Sequence, residues 1–158
     1  MIKNSINSGF TLIELMVVTL VIVMLTGGAL TAYLRFNEKQ VILNDVRQLV
    51  GELNRSRSLA ASLQYPAGCT GFQGVNVKND LANTGLTVTT QCTSGNFPET
   101  RSSVLTSTTF TASFDFTFLP GSGYISTGSN QTIVISDNKN IPNTMTVEIG
   151  NYGKINTL

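Results

Sequence analysis

Gly9-Phe10-Thr11-Leu12-Ile13-Glu14-Leu15-Met16-Val17-Val18-Thr19-Leu20-Val21-Ile22-Val23-Met24-Leu25 is the stretch that decides how this 158-residue chain is built. From residue 10 to residue 34 the run is almost unbroken apolar sequence, with one charged side chain, Glu14. At helical rise, a hydrocarbon core of about 30 Å needs roughly 20 such residues, so the segment is long enough to span a membrane. A carboxylate inside such a span is expensive, at about 2.5–3.5 kcal/mol near the bilayer centre. Glu14 sits nearer the end of the run, where the cost falls, but it still requires a partner or a purpose.

The residues before the run are short and polar and carry Lys3. A secretory signal places its apolar region before the cut; here the order is reversed, and the apolar helix would survive processing. Lys3 and the initiating amine would hold residues 1–9 on the cytoplasmic side. An uncleaved signal anchor would have the same topology.

Gly9-Phe10-Thr11-Leu12-Ile13-Glu14 resembles the processing site of type IV pilins and type II secretion pseudopilins. The resemblance implies a cut between Gly9 and Phe10 by a prepilin peptidase, followed by methylation of the new amino terminus. It makes Glu14 the fifth mature residue, which in that family pairs with a neighbouring subunit's terminal amine during assembly. The implied partners are other pilin or pseudopilin subunits, the peptidase, an inner-membrane assembly platform, and membrane lipid before assembly. The implied location is the cytoplasmic membrane, single-pass with the head outside the cytoplasm, and then the filament.

Gly27-Gly28 interrupts the apolar run. Each glycine weakens a helix by about 1 kcal/mol relative to alanine, which marks either a site of bending or melting or a close-packing surface. Beyond it Leu43, Val46, Leu49, Val50, Leu53, Leu59, Ala60 and Leu63 recur at steps of three and four. That stripe predicts an amphipathic continuation of the same helix. Arg35, Glu38, Lys39, Asp45, Arg47, Glu52, Arg55 and Arg57 are assigned to its polar side, with Glu52 and Arg55 spaced for weak pairing. Pro66 and Gly68 end it.

From Ala67 onward the pattern changes to short alternating segments divided by Gly, Asn and Pro. Residues 72–78 and 86–91 read as strands around a turn at 83–85, and Gly95, Asn96 and Pro98 mark a loop. Residues 101–111 suggest one threonine-rich edge strand. In 114–118, Phe114, Phe116 and Phe118 share one face against Asp115 and Thr117. Residues 131–136 and 144–149 add two strands, and a last short one ends near Ile155. The expected fold is α+β, pilin-like: a long N-terminal helix on an antiparallel β-rich head. The expected divisions are a leader at 1–9, a transmembrane assembly helix at 10–34, its amphipathic continuation at 35–65, and the head at 66–158. The ending from Phe114 onward also resembles the H-type pseudopilin and FimT-like minor pilin group.

Cys69 and Cys92 lie beyond the apolar segment and bracket the first strand pair. A pair in an exported domain reads as a disulfide, and closing such a loop restricts the unfolded chain by roughly 3–4 kcal/mol. Two buried free thiols are the other reading. No metal or cofactor is expected: there is no histidine, and two cysteines cannot fill a tetrahedral zinc shell. The Gly-x-Gly of Pro120-Gly121-Ser122-Gly123 lacks a phosphate-loop context and reads as a β-turn. With no histidine to activate a serine, no catalytic group is assigned and an enzyme is not expected.

Some FimT-like minor pilins bind DNA during uptake, so this is an alternative function. Against it, residues 64–158 carry four basic and five acidic side chains, a net of −1. Phosphate contacts need clustered Lys and Arg. The leading expectation is therefore a structural filament subunit, and a membrane-anchored domain with no filament role is the remaining alternative.

Overall fold

The computed structural model describes residues 11–80, 82–99, 103–137, 139 and 143–158. Helix α1 runs Leu12–Ala61, followed by β1 (Phe72–Asn79), β2 (Gly85–Cys92), β3 (Gly95–Pro98), β4 (Ser103–Val104), β5 (Thr108–Phe110), β6 (Asp115–Phe118), β7 (Gln131–Asp137), β8 (Thr144–Ile149) and β9 (Ile155–Thr157). This is the expected α+β, pilin-like architecture. The chain divides into two compact units, Met1–Glu38 and Lys39–Leu158, and α1 contributes residues to both.

In the second unit the strands form two antiparallel sheets. The first has the order β3-β2-β1-β6, with β4 also on β2; the second has the order β5-β7-β8-β9. Ile42, Val46, Leu49, Leu53 and Ala60 of α1 join inward residues of both sheets in a single apolar cluster. Phe114, Phe116 and Phe118 face that cluster as the alternation predicts, while Asp115 is exposed. Phe110 meets Phe114 edge-on at 5.0 Å, and Phe116 meets Phe118 edge-on at 5.4 Å, a favoured aromatic geometry.

The β1–β2 hairpin closes through the turn after Asn79. Asp80 N–H donates to Gly85 O at 2.9 Å, the Asp80 carboxylate accepts from Thr84 N–H at 2.9 Å, and Asn83 takes a left-handed φ of 57°. On its other edge β1 lies against β6, and this contact needs Gly74. A Cβ there would collide with Phe118 O and come within 2.8 Å of Thr117 Cγ2. Absence of a side chain is what lets the two backbones approach.

Three expectations change. Residues 95–98 are not a loop but strand β3, in register with β2 from Cys92↔Gly95 to Thr89↔Pro98. Proline is tolerated there because β3 is an edge strand and its missing donor would face away from the ladder. The proposed single strand over 101–111 is two pieces on different sheets: β4 pairs with β2 and β5 pairs with β7. Residues 101 and 102 of that expectation lie outside the described residues. Finally, Asp45 does not belong to the polar side of α1; it is 1% exposed.

Candidate assembly segment

Leu12 starts the helix because Thr11 caps it. The Thr11 hydroxyl accepts the Glu14 N–H at 3.3 Å, and the Thr11 carbonyl accepts from Glu14 N at 3.1 Å and Leu15 N at 3.2 Å. Thr-x-x-Glu is the capping-box spacing, so Glu14 stands at the third helical position. There its charge faces the positive end of the helix dipole, which favours a carboxylate by about 0.3–1 kcal/mol at exposed sites.

Every described side chain from residue 11 to residue 37 is exposed. The most apolar 18-residue window of α1 has a mean hydropathy of 2.3, and the helix is long and apolar enough to cross a membrane. Its threonine hydroxyl groups are satisfied within the helix. Thr19 donates to Met16 O at 3.0 Å, Thr26 to Ile22 O at 2.8 Å, and Thr31 to Gly28 O at 2.9 Å. Such back-bonding is what a lipid or dry protein environment demands of a polar group. The Glu14 carboxylate has no partner among the described residues and is the one charge from residue 11 to residue 34. Gly27 and Gly28 lie within the continuous helix, with open space where a Cβ would stand. Gly9 and Phe10, the expected processing residues, lie outside the described residues.

The family model for the prokaryotic N-terminal methylation motif matches residues 4–30. That match marks the type IV pilin and pseudopilin family. No curated protein and no solved structure matches the chain. The pilin motif implies, in general terms, a processed structural subunit that associates with other pilin subunits and with a processing peptidase. Together with the apolar helix it suggests membrane anchoring.

The head holds the remaining residues that the sequence singled out. Cys69 and Cys92 form a disulfide with a Cα–Cα distance of 5.6 Å, joining the segment before β1 to the end of β2. Arg55 meets Glu52, as its spacing allows, and also Glu99. Its Nη2 donates to Glu99 Oε2 at 3.0 Å and its Nη1 lies 3.6 Å from Glu52, so it links α1 to the residue after β3. Asp115 accepts from the Asn76 amide at 2.6 Å. Asp137 is 7% exposed and accepts from the Asn143 backbone at 2.8 Å and its amide at 2.9 Å. The Asn143 side-chain hydrogen bond, with further help from its backbone N–H and from Lys139, outweighs desolvation and holds the Asp137 carboxyl below its usual range.

Asp45 is the polar residue that the sequence reading misplaced. Its carboxylate accepts from Thr106 N at 3.3 Å, Ser107 N at 3.2 Å and the Thr108 hydroxyl at 2.8 Å. It therefore ties α1 to the link between the two sheets. A signal was available: Ile42, Asp45, Val46, Leu49, Leu53, Ser56 and Ala60 share one helical face and are all buried. Spacing alone places Asp45 and Ser56 on that face. Their polarity masked it.

Proposed function

We propose that this chain is a minor pilin or pseudopilin of a type IV pilus or type II secretion filament. Residues 1–9 are the leader, cut after Gly9 by the prepilin peptidase, and Phe10 becomes the methylated amino terminus. Residues 10–34 anchor the subunit in the cytoplasmic membrane with the head outside the cytoplasm; residues 35–65 carry the helix into the head at 66–158. The assembly platform then moves the helix from lipid into a bundle of neighbouring helices. The observation that carries this reading is the methylation motif at residues 4–30, overlapping an exposed apolar run, residues 11–34, whose one charge is Glu14.

Glu14 acts as the register key. A lone carboxylate is costly in hydrocarbon, and the terminal amine of a neighbour's Phe10 is the complementary charge. Pairing removes much of the penalty only when adjacent subunits are correctly stepped, so the pair specifies register more than it stabilises. Glu14→Ala should leave membrane insertion unchanged and reduce incorporation into purified filaments. The mass of the mature amino terminus tests processing separately. An intact 1–9 segment would favour an uncleaved anchor, and normal incorporation of Glu14→Ala would remove Glu14 from the mechanism.

A further inference from the structure

The head carries a second set of side chains that α1 assembly does not use. Gly121 N–H donates to Ala60 O at 3.0 Å, so the loop after β6 closes over the last turn of α1. One turn earlier, the Arg57 side chain passes between glycines of two different loops. A Cβ on Gly123 would stand 3.0 Å from Arg57 Cγ, and one on Gly153 would stand 2.7 Å from Arg57 Nε. Both glycines also have left-handed φ, 65° and 73°. At Gly153 a Cβ would also collide with Gly123 O, and at both positions the left-handed backbone disfavours any side chain, so the two loops lie close against the arginine stem.

Arg57 is half-buried, yet its guanidinium makes no hydrogen bond or ion pair with any described residue. Each of its two glycines adjoins an exposed tyrosine. Tyr124 is 45% and Tyr152 64% exposed, and their rings meet edge-on at 5.2 Å. We propose that Arg57, Tyr124 and Tyr152 form an interaction surface for another protein chain, one that presents a carboxylate beside an apolar side chain.

The chemistry selects that partner. A guanidinium fork matches a carboxylate in a planar, two-bond geometry, and a stem already packed against two loops loses little freedom on binding. Tyrosine and arginine are the residue types that dominate protein interfaces, with lysine depleted, whereas a nucleic-acid surface needs several clustered cations. A second copy of this chain is a poor partner. The carboxylates of Asp45, Glu52, Asp80, Glu99, Asp115, Asp137 and Glu148 all have partners within their own head. Glu38 also has a contact of its own, and Glu14, the acidic side chain left without one among the described residues, stands in the apolar segment outside the head. Binding a second copy's head would therefore break one of those contacts, and the partner proposed is a different chain. The proposal is independent of Glu14 and of filament register.

The test uses the full isotope-labelled chain in detergent micelles, titrated with N-acetyl-Leu-Glu-Leu-amide while the backbone amides of Gly123 and Gly153 are followed by NMR. Saturable shifts at both glycines are expected. Binding should be about fivefold weaker or more for the isosteric Leu-Gln-Leu peptide, as expected when a charge-assisted contact is lost. Arg57→Gln should abolish the response, and Tyr152→Ser, at an exposed position outside the core, should weaken it. Equal response to the two peptides, no shifts up to about 10 mM, the weak limit of specific recognition, or an unchanged response in Tyr152→Ser would overturn the proposal. Inorganic phosphate displacing the peptide at equal concentration would also overturn it, by showing a general anion site.

Discussion

Replacing Asp45 with alanine removes the acceptor for three donors at once. Hydrogen bonds to an ionised group contribute about 1.5–3 kcal/mol each when buried and well formed, but these three are unequal. Thr106 and Ser107 are exposed and their N–H groups lie 3.3 and 3.2 Å away, so water can take over much of their bonding. Thr108 is 2% exposed, and its hydroxyl at 2.8 Å would be left without its partner inside the core margin. One orphaned buried hydroxyl costs about 1–3 kcal/mol, and loosening the two backbone contacts adds roughly 1. The expected loss is therefore about 2–4 kcal/mol. For a head of this size each kcal/mol shifts the midpoint by about 3–5 °C, so thermal unfolding should fall by about 6–20 °C. The assay is circular dichroism of the full chain in micelles with the disulfide intact. Arg47→Ala, exposed on the same helix, is the control and should stay within about 0.5 kcal/mol. A shift no larger for Asp45→Ala than for Arg47→Ala would refute the role assigned to this carboxylate.

Two other predictions concern the head. α1 ends with Leu63 in a left-handed conformation, φ 55°, where Gln64 N donates to Leu59 O at 2.9 Å and Leu63 N to Ala60 O at 3.3 Å. That is the Schellman pattern with leucine in the usual glycine position, so Leu63→Gly should raise stability by about 0.5–1 kcal/mol in the same melt; a decrease would contradict it. Asp137 has a folded pKa below its ordinary 3.8. Its contribution is complete above the unfolded value and is lost as pH falls through the lower folded value, so the head should lose stability on acidification below about pH 4. Asn143→Ala should flatten that part of the stability–pH curve, and an unchanged acid limb would show that Asn143 does not hold the carboxylate.

The sequence by itself determined the elements whose signal is local. Absence of charge over residues 15–34 decides that part of α1, Thr11 and Glu14 mark its start three residues apart, and strict alternation decides β6 through Phe114, Phe116 and Phe118. The processing motif is equally local, and the match at residues 4–30 covers it. Tertiary structure decided the rest, because partners there are far apart in sequence. Gly95–Pro98 becomes a strand only because β2 offers it an edge, and 101–111 splits because its ends join different sheets. Asp45 looks like a surface acid until donors 61 to 63 residues away converge on it. Arg57 looks solvated until two glycines from separate loops enclose its stem. The opening stretch needed no such help: an apolar helix exposes its character at every turn, and a single carboxylate within it is visible in the sequence alone.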